Sequence, residues 1–102
     1  MFCLVSHSKT PSEGLGKVEQ VFREQVIPLI SSQPGFKGVC FMTRPSGEFV
    51  SLSIWDTEEQ ANSWPQNQEH QKLIIQLKDL LIGAPEREVF QVQAQVLNLP
   101  RN

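Results

Sequence analysis

The chain has 102 residues, enough for one domain and too few for two. Its net charge of −2, from 9 basic and 11 acidic residues, leaves no basic excess to neutralise phosphates and disfavours nucleic-acid binding. With 39% hydrophobic and 20% charged residues and no apolar run of membrane-spanning length, the composition is that of a soluble globule that does not enter a membrane.

The first residues, Met1-Phe2-Cys3-Leu4-Val5, lack the charged start and cleavage site of a signal peptide, so they are expected to form a strand in a cytoplasmic protein. Cys3 and Cys40 show no CxxC spacing and are expected to be reduced, buried thiols. The spacing predicts a first strand over 2–8. Thr10-Pro11-Ser12-Glu13 has the residue types of a helix start, with Thr10 as cap, Pro11 in the first turn and Glu13 as the capping-box acid. The helix that follows sets Leu15, Val18, Phe22 and Val26 on one stripe. Pro28 removes a backbone donor, which predicts a kink or a loosened last turn, and 31–35 stops the helix.

A second strand is expected over 36–43 and a third over 48–55. The short turn Arg44-Pro45-Ser46-Gly47 makes them an antiparallel hairpin. Asp56-Thr57, with Gln60 three residues on, caps a short helix that Trp64-Pro65 breaks. A further helical segment carries His70, Leu73, Leu77 and Leu80 on one face and ends at Gly83-Ala84-Pro85. The last strand is read over 88–97, with 97–102 as a tail or an arm onto a partner. The order β-α-β-β-α-β is ferredoxin-like: an α+β domain with a four-stranded antiparallel sheet and helices on one face.

One-sided cover has a consequence. In the third strand Val50, Leu52 and Ile54 share one face, and Phe49, Ser51, Ser53 and Trp55 the other. Both faces carry large apolar groups, so the face without helices is expected to pair with a second copy, giving a homodimer. The alternative puts the apolar face under the helices and the Ser and Gln face in water.

The run Pro34-Gly35-Phe36-Lys37-Gly38, a hairpin, then Trp55-Asp56-Thr57-Glu58-Glu59-Gln60-Ala61 resembles the antibiotic biosynthesis monooxygenase (ABM) domain. Glu69-His70-Gln71 before Leu73 resembles another family segment. The resemblance implies a dimeric α+β barrel, with 1–102 as a single ABM-like domain and a pocket between sheet and helices. It turns Ser51 and Trp55 to the pocket and Val50, Leu52 and Ile54 to the partner.

The resemblance also implies a chemistry. Some family members oxygenate aromatic compounds with neither flavin nor metal, so no cofactor is expected. Such an enzyme holds an electron-rich phenol or quinol in an apolar slot, beside a base and a hydrogen-bond donor for the developing oxyanion. His has an unperturbed pKa of ~6.5. The chain has two, His70 and His7, and both are candidate catalytic residues. Trp55, Trp64 and Ser51 are candidates for contact with a small aromatic substrate. Ser51 stands where the polyketide-oxygenating branch has Asn. In the haem-degrading branch the Asn, Trp and His positions correspond here to His7, Trp64 and Ile74. A non-catalytic binding or structural dimer and a haem protein are the alternatives. A zinc site from Cys3, Cys40, His7 and His70 has no local ligand pair to start from.

Overall fold

The computed structural model describes residues 1–96. Strand β1 (Phe2–Lys9) leads into a composite helix: a 3-10 turn (Ser12–Gly14), α1 (Leu15–Val21), a π segment (Phe22–Val26) and α2 (Ile27–Ser31). The hairpin strands β2 (Phe36–Thr43) and β3 (Glu48–Trp55) follow. Then come α3 (Glu58–Ser63), a 3-10 turn (Trp64–Gln66), α4 (Gln68–Gln76) and β4 (Glu86–Gln91). All strand pairs are antiparallel, in the order β2-β3-β1-β4, which is the ferredoxin-like arrangement expected. Among the described residues no helix is long and apolar enough to cross a membrane.

The faces follow from pairing register. Leu4 lies opposite Ser53, Ser6 opposite Ser51, and Ser8 opposite Phe49, and this set meets the helices. Val18, Val21, Val26 and Ile30 from the first helical stretch and Ala61, Trp64 and Leu77 from the second bury against Leu4 and Trp55. Cys3 opposite Ile54, Val5 opposite Leu52 and His7 opposite Val50 form the other face, which no helix covers. The serines of β3 are therefore under the helices, and the alternative with serines in water does not hold.

Five local expectations change. Cys3 is only half-buried and Cys40 is exposed, because both lie on the face that no helix covers. Thr10 does not cap: its backbone N–H bonds the Gly47 carbonyl at 2.9 Å, which ties it to the hairpin turn. Its side chain is buried with Oγ1 unpaired, and Gly14 packs against it with no room for a Cβ. The helix starts instead from Pro11, without a side-chain cap, and Glu13 makes no capping box. The effect of Pro28 lies one turn upstream of where it was expected. Lacking an N–H and crowding the carbonyl four residues back, Pro28 is preceded by the widened π segment. The predicted helix to residue 80 ends at Gln76, and Leu77 to Leu80 continue as turns. The last strand begins at Glu86 and ends at Gln91, short of the predicted 97, and the tail 97–102 lies outside the described residues.

The Pro34-Gly35-Phe36 junction does more than stop a helix. Gly35 has φ of +79°, and a Cβ there would collide with the Gln60 side chain. Its carbonyl accepts from Asp56 N–H at 2.9 Å, so the start of β2 is fastened to the end of β3. Gln60 completes the predicted capping box with Thr57, both bonds at 3.2 Å.

Candidate functional site

A cavity of about 70 Å3 lies between the serine-bearing face and the helices. The sheet supplies Ser6, Ser51, Phe41 and Arg87, and the helices supply Phe22, Trp64 and His70. Its walls are aromatic: Phe22 stacks on Phe41 with centroids 4.4 Å apart, and Trp64 on His70 at 4.2 Å. Room of this size holds a few waters and falls well below the roughly 300 Å3 of an ordinary ligand pocket. A ring therefore enters only when a wall shifts. The segment between α4 and β4, from which Leu81 and Pro85 reach the cavity, runs through turns and bends rather than regular helix or strand.

His70 is placed by the helix break. Pro65 ends α3 in a 3-10 turn, and Asn67 restarts the chain as the cap of α4. The Asn67 carboxamide accepts from the His70 backbone N–H at 3.0 Å and donates to Gln33 at 3.3 Å. In a continuous helix, residues six apart sit about 9 Å along the axis and about 120° around it, too far to stack. The interruption is what lets Trp64 and His70 lie face to face.

His70 is 7% exposed, and its Nδ1 has no hydrogen-bond partner. Burial first, and the charge of Arg87 second, push its pKa down to about 4, while the Trp64 backbone opposes the shift. At neutral pH the imidazole is uncharged and can accept a hydrogen bond. Arg87 lines the cavity from the neighbouring edge strand and is itself solvent-exposed, so it stands at the mouth. Burial lowers its pKa as well, though an arginine keeps its charge.

Of the residues singled out in the sequence, the structure brings His70, Trp64 and Ser51 to one cavity. Trp55 stands behind it, 2% exposed, with its indole N–H donated to Ser53 Oγ at 2.9 Å. Its remaining edge borders a separate polar groove near Gln33 and Asn67. His7 is on the uncovered face, 3.5 Å from Glu48 and away from the cavity. Arg87 escaped the sequence reading because the last strand was started at Glu88. Alternation carried back two residues from Val89 puts Arg87 under the helices, and a charge at such a position is the signal that marks it.

Two metal-based expectations meet the geometry directly. Cys3, Cys40 and His7 lie on one face of the sheet and His70 on the other, so these four cannot share an ion. Among the described residues no group of three ligating side chains is assembled elsewhere. At the position that supplies the iron ligand in the haem-degrading branch, Ile74 lines the cavity and offers no ligand, while His70 lies one turn away on the same helix.

Known proteins share this fold. The antibiotic biosynthesis monooxygenase family profile matches residues 1–74. The uncharacterized protein YqjZ of Bacillus subtilis (strain 168) is 35% identical over 48 residues, a match spanning 47% of this chain and only 42% of that protein. Among solved structures, NE2512, a protein of unknown function from Nitrosomonas europaea, superposes with a TM-score of 0.80 at 14% identity, over 97% of this chain and 95% of that one. SnoaB, a cofactor-independent oxygenase from Streptomyces nogalater, superposes with a TM-score of 0.74 at 14% identity, over 95% and 97%. At such identities the structures speak for the fold, and the profile speaks for descent. The chain belongs to the antibiotic biosynthesis monooxygenase family.

Proposed function

We propose that the chain is a monooxygenase acting on a small hydroxylated aromatic compound, with the substrate itself as reductant. The observation that carries this reading is a buried, uncharged His70 that lines an aromatic-walled cavity of a protein of this family. The substrate hydroxyl donates to the neutral imidazole of His70 while its ring lies among Phe22, Phe41 and Trp64. Loss of the hydroxyl proton leaves an electron-rich anion that reduces O2. One oxygen atom enters the substrate, two substrate hydrogens leave with the other as water, and all four electrons come from the substrate, so no flavin or metal is required. A pKa of about 4 makes His70 a weak base in the empty cavity. A bound oxyanion reverses this, since it offsets the Arg87 charge and pairs with the imidazolium.

Trp64 serves as a wall and Ser51 as a hydroxyl near the ring; Trp55 supports the wall from behind. The catalytic role goes to His70 rather than His7. The working form is a cytoplasmic homodimer joined through Val5, Val50, Leu52, Ile54 and Phe90, the apolar residues of the uncovered face. Oxygen uptake with simple quinols tests the reading. The wild type should consume O2 with product formation in equal amounts, and His70→Ala should lower the rate by roughly 100-fold or more, the usual worth of a positioned base. Equal rates for wild type and His70→Ala would remove it.

The small size of the cavity, about 70 Å3, favours a second reading, a non-catalytic dimer that is structural or binds a small molecule. Under that reading aromatic ligands bind with no O2 consumed.

A further inference from the structure

One row of directly opposed residues crosses the sheet beneath the cavity. Arg87 of β4 pairs with Ser6 of β1, Ser6 with Ser51 of β3, and Ser51 with Phe41 of β2. All four line the cavity. Three strand spacings make this row about 14 Å long. Along it the chemistry changes in order, from a guanidinium through two hydroxyls to an aromatic ring that Phe22 extends. Arg87 takes part in none of the ion pairs among the described residues, although Glu86 and Glu88 flank it in sequence. Alternation turns both of those carboxylates to the opposite face, where they lie by His7 and Val5. Arg87 thus stands beside an aromatic cavity with its guanidinium in no ion pair among the described residues. The imidazole of His70 lines the same cavity and supplies the second polar point of attachment.

The geometry points to an anion-binding subsite at Arg87, continued by Ser6 and Ser51, that takes the carboxylate of a small hydroxylated aromatic acid. This rests on the reading of the cavity as a substrate pocket and adds the class of substrate. The carboxylate pairs with the guanidinium in bidentate fashion, as planar carboxylates do. The ring lies inward along the row toward Phe41, and the hydroxyl meets His70. A neutral phenol of the same size keeps the ring contacts and loses the ion pair.

Calorimetric titration with 2-hydroxybenzoate and with phenol tests the subsite. Wild type should bind 2-hydroxybenzoate at least about tenfold more tightly than phenol, with the preference shrinking as salt is raised. Arg87→Met keeps the packing of the stem and should bring the two ligands to the same affinity, while Arg87→Lys should keep part of the preference. Circular dichroism establishes that each variant is folded. Equal affinities in the wild type, a preference that survives Arg87→Met, or no binding of either ligand overturns the proposal. The carboxylate preference in a protein that consumes no oxygen would sink the monooxygenase reading and leave the subsite standing. Turnover of neutral quinols without the preference would do the reverse.

Discussion

The imidazole of His70 and the indole of Trp64 stack with ring centroids 4.2 Å apart and planes 27° from parallel. A protonated imidazole over an indole face gains cation–π attraction, which by itself would favour the charged form. Burial first and the charge of Arg87 second act the other way and push the pKa down to about 4.

This sets a pH dependence of stability. The unfolded chain binds the His70 proton near the ordinary pKa of about 6.5, and the folded chain only near 4. Between these values the unfolded state holds more protons, so acid favours unfolding. The contribution is complete above about pH 6.5, declines as pH falls, and is lost by about pH 4, a change on the order of 3 kcal/mol. Urea unfolding midpoints across this window should fall more steeply for the wild type than for His70→Gln. Parallel curves would show that His70 is not held in its neutral form by the fold.

Gly35→Ala should destabilise the protein by about 2 kcal/mol or more. A left-handed conformation costs an L side chain roughly 1–2 kcal/mol, and displacing Gln60 forfeits a helix cap worth about 1 kcal/mol. Because the new methyl acts through Gln60, the double variant Gly35→Ala, Gln60→Ala should lose less than the two single losses added. Thermal or urea unfolding of the four proteins measures the coupling, and strict additivity would count against it.

The uncovered face gives a third expectation. Leu52 sits at its centre, between Val5 and Cys40 of the adjoining strands. A stable pair of subunits needs about 800 Å2 from each. Sedimentation at micromolar concentration should therefore show a dimer for the wild type and a monomer for Leu52→Lys, with the same far-ultraviolet circular dichroism. A monomeric wild type would overturn the assignment of this face to a second copy.

What the sequence disclosed was set by local chemistry. The Thr57–Gln60 box, the Arg44–Gly47 turn and the alternation in β3 each depend on a few neighbouring residues, and each was readable. Thr10 was misread because its decisive bond, to the Gly47 carbonyl, joins positions far apart in sequence. The π segment was missed because a proline announces a lost hydrogen bond without saying which turn will widen. For the site, helical spacing put His70 on a buried stripe, but nothing local separated it from His7. That distinction depends on which face of β1 the helices cover. Arg87 needed both the correct start of β4 and its pairing with Ser6.

Strand β3 carries two surfaces on alternate residues: Ser51 and Ser53 toward the cavity, Val50 and Leu52 away from it. This ties chemistry and assembly to a single count along the chain. Adding or removing one residue within the strand would put leucine and valine on the cavity floor and hang serines on the outer side, spoiling both surfaces together. Changes of two residues preserve them. Length variation among descendants of this strand is therefore constrained to even steps, while the hairpin turn beside it is free of that rule.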